Sequence, residues 1–150
     1  MTGALRDIAI APADSDADIA ASLPVMQGLH PQWTDASAYL AQIRKQVAGG
    51  YHLVLLRWRG EAAGCAGYRF LDMLTRGHFM HVDDLVTAAD YRSHGLGETL
   101  FQWLVETARR NGCTRIDLDS RVTRSDAHRF YFRQRMTAAS FHFVLPLSKL

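Results

Sequence analysis

Apolar positions recur along this chain with two different periods, and the switches between them predict the order of its elements. "LRDIAIAP" (residues 5–12) reads as a short strand stopped by Pro12. The Ala- and Asp-rich stretch from Asp14 to Gly28 reads as a helix that Pro24 must break or kink. "TDASAYLAQIRKQVAGG" (34–50) has a helical period, with Thr34 or Asp35 as N-cap. Ala36, Leu40, Ile43 and Val47 form its expected apolar face, and Gly49-Gly50 its end. Residues 51–60 and 61–73 predict a hairpin turning at Arg59-Gly60-Glu61, and 77–88 a further strand.

From Leu96 to Asn111 the apolar residues Leu96, Leu100, Leu104 and Ala108 recur every fourth position, with Phe101 and Val105 widening the stripe. Glu106 and Arg110 are set to pair across one turn, and Asn111-Gly112 to close the helix. Residues 114–120 predict a strand, 125–135 a helix, and "AASFHFVLP" (138–146) a last strand. The order is β, helices, β-β-β, α, β, α, β. It implies an α/β fold with a mixed sheet flanked by helices, in which the unit from 77 to 120 is a parallel crossover.

Totals narrow the class. With 150 residues, 48% apolar and 21% charged, the chain has the composition of one globular domain spanning 1–150. A formal charge of +2 is too small to imply a nucleic-acid or membrane partner. Cys65 and Cys113 read as buried reduced thiols. The N-terminus shows no basic stretch followed by an apolar core, and no apolar run approaches the ~20 residues of a membrane span, so a cytoplasmic protein is expected.

The chemistry concentrates in "DYRSHGLGETL" (90–100), where two glycines stand just ahead of the long amphipathic helix. A loop there points backbone N–H groups into one concavity, and the helix adds unpaired amides and the positive end of its dipole. Two readings stand: a phosphate or pyrophosphate site with Arg92 at its mouth, or a tight strand-to-helix turn. A Rossmann fingerprint wants Gly or Ala at position 100, which is Leu100, and the Gly-Lys-Ser/Thr of a P-loop is absent.

"VDDLVTAADYRSHGLG" resembles the acetyl-CoA-binding segment of the GNAT N-acetyltransferase superfamily, an Arg/Gln-x-x-Gly-x-Gly/Ala loop opening a helix. Arg92, Gly95 and Gly97 match its three fixed positions, with Ala89 where the family often has proline. Ala127 and Tyr131 match a later Ala-x-x-x-Tyr helix motif; Arg124 stands where the family commonly has Asn, and Arg135-Met136 where it has Gly-Phe.

The resemblance implies a mostly antiparallel central sheet, acetyl-CoA as co-substrate and an amine as acceptor. His78 and His81 share a strand with no carboxylate or third histidine at a ligand-like spacing, so no metal is expected. It puts the pyrophosphate of coenzyme A on Arg92, Ser93, His94, Gly95, Leu96, Gly97 and Glu98. The pantetheine arm would run along Leu85, Val86 and Thr87, with Arg124 and Ala127 completing the cofactor side. Tyr131 would protonate the departing thiolate, and Asp83 is a candidate general base. Asp83 and Asp84, adjacent on a strand, are expected to face opposite sides. "LPVMQGLHPQW" (23–33) is expected beside the acceptor cleft, with His30 and Trp33 as possible contacts, and the family's habits allow a homodimer. Two rival functions stand beside this one: a non-catalytic acyl-CoA sensor or scaffold, and an unrelated nucleotide-binding module.

Overall fold

The computed structural model describes residues 6–149, so Leu5, expected in the first strand, lies outside the described residues. The chain divides into two compact units, Met1–Leu118 and Asp119–Leu150.

The first unit holds a five-stranded sheet in the order β1 (Ile8–Pro12), β2 (Tyr51–Trp58), β3 (Glu61–Met73), β4 (Gly77–Thr87), β5 (Ile116–Leu118). The pairings β1–β2, β2–β3 and β3–β4 are antiparallel, and β5 runs parallel to β4. This is the mixed, mostly antiparallel sheet expected. Trp58 pairs with Glu61, so the β2–β3 hairpin turns on two residues, Arg59 and Gly60. Their φ angles of 53° and 85° give both central positions the left-handed conformation that matches strand twist.

Strand alternation divides the core between two faces. On one, Tyr51, Leu53, Leu55, Cys65 and Val86 meet Ile19, Leu23 and Met26 of α1 (Asp16–Met26) and Tyr39 and Ile43 of α2 (Ala36–Ala48). On the other, Val54, Leu56, Ala66, Met80 and Val82 meet Leu96, Leu100, Leu104 and Ala108 of α3 (Leu96–Arg110). The fourfold spacing read from α3 is the stripe it buries.

Several local expectations need correction. Pro24 lies in the last turn of α1, which continues through Met26; its missing N–H removes one bond close to an end that frays anyway. Asp35 caps α2 by accepting from the Ala38 N–H, but Tyr39 and Ile43 are its buried residues, while Ala36 is exposed and Val47 remains 40% exposed. Glu106 pairs with Arg109, one residue short of the expected partner, because Arg110 donates to Thr107 Oγ1 instead. The two cysteines are free thiols, Cys65 buried and Cys113 half-buried.

In the second unit α4 spans Ser125–Arg133, and residues 138–146 form no strand. Phe141 and Phe143 alternate as a strand would require, but they are exposed; alternation gives a face, and a strand also needs a neighbour to take its main-chain bonds.

Both α3 and α4 end in the same motif. After α3, Gly112 N–H reaches Arg109 O and Cys113 N–H reaches Ala108 O, with Gly112 left-handed at φ 72°. After α4, Arg135 N–H reaches Phe132 O and Met136 N–H reaches Tyr131 O, with Arg135 at φ 64°. Arg135 therefore holds the conformation for which the resembled pattern uses glycine. Arg135→Gly is expected to stabilise the protein by about 1 kcal/mol, since only the arginine has a Cβ to strain there. A denaturant midpoint that does not rise would count against this reading.

Candidate active site

On the α1/α2 face of the sheet lies a cavity of about 520 Å³. The connection from α1 to α2 lines it with His30, Gln32 and Trp33, α2 with Tyr39, Gln42, Ile43 and Gln46, and the sheet with Tyr51, Arg69, Asp83 and Asp84. The segment expected beside a cleft thus supplies His30 and Trp33 to its wall.

Its floor depends on an irregularity in the β3–β4 ladder. Gly67 pairs with Asp84 and Tyr68 with Val82, so Asp83 is an extra residue with no partner opposite: a β-bulge. Regular alternation would send neighbouring side chains to opposite faces, the arrangement expected from the sequence. The bulge cancels one alternation, and both carboxylates line the same cavity.

Each carboxylate has its own partners. Asp83 Oδ2 accepts from Arg69 Nε at 2.8 Å. Asp84 Oδ1 lies 2.6 Å from His30 Nε2, and its Oδ2 accepts from the Tyr51 hydroxyl at 2.8 Å. Burial pushes the Tyr51 phenol well above its ordinary value, and the negative charge of Asp84 adds to that. Burial likewise pushes Tyr39 up to about 12, against the lowering effect of its hydrogen bond with Ser22. Both phenols are therefore neutral near neutral pH. The Arg69 guanidinium also lies over the Tyr51 ring, 5.3 Å from its centroid.

The α1–α2 connection is a folded turn. His30 N–H bonds Met26 O at 2.9 Å, Trp33 N–H bonds His30 O at 3.2 Å, and Gln27 Nε2 bonds Trp33 O at 2.8 Å. Gly28 seats it on β4, where a Cβ would stand 3.3 Å from Val86 Cγ2.

Beyond this floor β4 has an open edge. Its ladder with β5 covers only Met80–Val82, and from Asp83 to Thr87 no strand among the described residues pairs with it on that side. Ala88 N–H bonds Ala63 O of β3, so by antiparallel alternation Val86 also turns its main-chain groups inward. Leu85 and Thr87 turn theirs outward.

The chain then runs through a short turn at Ala89–Tyr91 into the loop ahead of α3. Ser93 at φ 65° and Gly95 at φ 76° are both left-handed. Gly95 is the N-cap of α3, no side chain caps the helix, and a Cβ on Gly95 would meet nothing within 4 Å. The glycine is needed for its dihedral and leaves a clear approach to the helix amides. Arg92, Ser93 and His94 are exposed, with the His94 ring 4.8 Å from that of Trp58; Leu96 is buried against the sheet.

In the second unit, burial raises the Tyr131 pKa while the charge of Arg124 opposes it. The Tyr131 ring meets Phe130 edge to face at 5.6 Å, and Ala127, four residues before it, is half-buried. His128 Nε2 lies 2.9 Å from Arg121 O.

Sequence reasoning missed Tyr51 and Arg69, which read as ordinary strand residues, and Gly67, which read as one glycine in a strand. Among the described residues no three His, Cys, Asp or Glu side chains gather to hold a metal ion, and no helix is long and apolar enough to cross a membrane.

Comparison with known proteins agrees with this architecture. The sequence model of the acetyltransferase (GNAT) family matches residues 20–136, a range that runs through both units. An uncharacterized N-acetyltransferase of Bacillus subtilis (strain 168), YhdJ, is 30% identical over 131 residues, covering 85% of this chain and 91% of that one. An aminoalkylphosphonate N-acetyltransferase of Salmonella typhimurium is 29% identical over 97 residues, covering 64% of this chain and 63% of the relative. Among solved structures, an acetyltransferase of Trypanosoma brucei superimposes with a TM-score of 0.77 at 25% identity, covering 94% of this chain and all (100%) of that one.

Proposed function

The chain belongs to the acetyltransferase (GNAT) family, and from that premise we propose that it moves an acetyl group from acetyl-CoA to the primary amine of a small molecule, by direct transfer in a ternary complex. The observation that carries the acceptor side is the bulge at Asp83-Asp84, which gives an aromatic-walled cavity two carboxylates. With Asp83 paired to Arg69, the Asp84 carboxylate is the charge that attracts an ammonium group, and aromatic faces add to that attraction.

Acetyl-CoA, the co-substrate the family implies, suits the residues present. An uncapped helix N-terminus behind a left-handed glycine with open space above it suits a pyrophosphate. Arg92, Ser93, His94, Gly95, Leu96, Gly97 and Glu98 are the residues we assign to it, with Arg92 adding charge. The outward main-chain groups of Leu85 and Thr87, flanking Val86, suit an extended arm bearing amides. Arg124 and Ala127 we assign to the cofactor side on their motif positions. The co-substrate supplies an activated acetyl group as a thioester.

The chain's own residues supply the proton transfers. An acceptor enters as an ammonium and must become a neutral nucleophile. Asp83, and His30 backed by Asp84, are the groups on the cavity floor able to take that proton. A main-chain N–H on the open edge of β4 is our candidate for polarising the thioester carbonyl. Tyr131, kept protonated by burial, is our candidate for returning a proton to the thiolate.

The Salmonella relative acts on aminoalkylphosphonates, as its name states, and an anionic tail of that kind needs an unengaged cation. In this cavity Arg69 is already paired with Asp83, so we propose an acceptor without a strongly anionic group. Thiol release from acetyl-CoA over a panel of amines tests both points. Phenethylamine is expected to exceed 2-aminoethylphosphonate at least tenfold in kcat/KM. Gly95→Val is expected to weaken acetyl-CoA binding about tenfold or more, since a β-branched residue is strained at φ 76° and adds bulk beside the amides. No heat of binding with acetyl-CoA in calorimetry would remove the reading; a preference for the phosphonate would remove only the acceptor assignment.

A further inference from the structure

Resting on that acetyl-transfer reading, we propose that His30 is the base that takes the proton from the attacking amine, with Asp84 as its positioning residue and Tyr51 holding Asp84 in turn. The argument begins with proton inventory. An ionised carboxylate only accepts, so the 2.6 Å contact between His30 Nε2 and Asp84 Oδ1 puts the ring hydrogen on Nε2. In the neutral ring Nδ1 is then left as a bare lone pair, the form a base requires.

Asp84 is less suited to that role than the histidine. Its two oxygens are already engaged, Oδ1 by His30 and Oδ2 by Tyr51. Only 12% of its side chain is exposed, against 38% for His30, so the histidine is the member of the pair within reach of a substrate. Asp83 is the other carboxylate on the floor, but to accept a proton it must give up its ion pair with Arg69. His30 loses no existing bond on accepting one, and its positive charge would then face Asp84.

The histidine is also held in place. The main-chain bonds on either side of it, the Gln27–Trp33 bond and the seating of Gly28 on Val86 fix the turn that carries it. The charged and titratable groups that line the cavity with it are Asp83 and Asp84 of β4, Arg69 of β3, Tyr51 of β2 and Tyr39 of α2. The two phenols stay neutral there, and Arg69 and Asp83 neutralise each other, leaving Asp84 as the charge that answers an imidazolium.

The step balances without a further reactant. The amine nitrogen forms a bond to the acetyl carbon as the carbon–sulfur bond breaks. The ammonium first loses a proton to His30 Nδ1, which passes it to solvent, and after attack the nitrogen loses its second proton by the same route. The sulfur keeps the electron pair of the broken bond and takes a proton from Tyr131, which regains one from solvent.

The variants His30→Gln and Asp84→Asn in the full chain test this, with phenethylamine as acceptor probe. Glutamine retains an N–H donor for Asp84, so His30→Gln is chosen to spare the fold. It is expected to lower kcat about 10²- to 10⁴-fold, to erase the acid limb of the kcat/KM profile, and to leave the calorimetric Kd for acetyl-CoA unchanged. Asp84→Asn is expected to release the ring from its single tautomer, read in the ¹⁵N spectrum of the His30 side chain, with a smaller loss of kcat. In the wild-type protein that spectrum should show the hydrogen of the neutral ring on Nε2. A hydrogen on Nδ1 overturns the proposal whichever acceptor is used. Wild-type kcat and an intact acid limb in His30→Gln overturn it alone, whereas absence of acetyl-CoA binding by the wild-type protein removes the functional reading and this proposal together.

Discussion

Gly67→Ala is expected to destabilise the protein by about 3 kcal/mol and to remove most of its turnover. The β-carbon it introduces would fall 1.8 Å from the Tyr51 hydroxyl oxygen, 2.2 Å from Cζ and 2.3 Å from Cε2. Those distances lie far inside van der Waals contact, and the ring they strike is 1% exposed and tied to Asp84 by its hydroxyl. The ring crosses β3 at Gly67 because Gly67 stands directly opposite Asp84, the carboxylate that the phenol bonds. Displacing it costs the strain of an overfilled core, typically 1–3 kcal/mol, and leaves Asp84 short of a donor.

Urea or guanidinium unfolding measures the effect directly. Gly64→Ala on the same strand is the comparison, where the new carbon meets its nearest neighbours at 3.3–3.7 Å and the loss should be smaller. A second comparison is Tyr51→Ala, which vacates the ring's place. Combined with Gly67→Ala it should show strong non-additivity, the double mutant losing little beyond Tyr51→Ala alone. A loss below about 0.5 kcal/mol for Gly67→Ala by itself would mean that the ring does not lie where the structure has it.

Tyr131→Phe is expected to reduce kcat about 10²-fold or more while the Kd for acetyl-CoA is preserved. The ring, its edge-to-face contact with Phe130 and its burial survive in phenylalanine, so only the proton is removed. The sign of the pH effect follows from the direction of the shift. Burial disfavours the phenolate and raises the pKa, so the acid form persists past the ordinary tyrosine value of about 10. Any alkaline limb due to Tyr131 should therefore lie above pH ~10, and Tyr131→Phe should depress the rate across the range below it. Unchanged turnover in this variant would deprive Tyr131 of the role. Acetyl-CoA binding without turnover in the wild-type protein would favour the non-catalytic acyl-CoA sensor.

Much of the framework was legible in the chain because it rests on short-range physics. The spacing of Leu96, Leu100, Leu104 and Ala108 needs only the pitch of a helix to become a buried stripe. Asn111-Gly112 needs only a left-handed residue to end it, and Arg59-Gly60 only a two-residue turn to reverse a strand. The loop at Arg92–Gly97 announced itself in the same way, since its glycines sit where helix nucleation would otherwise avoid them.

Expectations went astray where a local pattern needed a distant partner. Residues 138–146 alternate like a strand but form no ladder, and Tyr39 rather than Ala36 or Val47 is what α2 buries with Ile43. Asp83 and Asp84 give the clearest case. Adjacent carboxylates on a strand separate by default, and only the offset between Gly67 and Tyr68 on the neighbouring strand turns both to one side. The bond that joins His30 to Asp84 spans 54 positions, and that of Tyr51 to Asp84 spans 33. The sequence by itself determined the helices, the turns and the family. The register between β3 and β4 decided which polar side chains share a cavity, because one extra residue in a ladder reverses the facing of all that follow, and no periodicity within a single strand records where its neighbour slips.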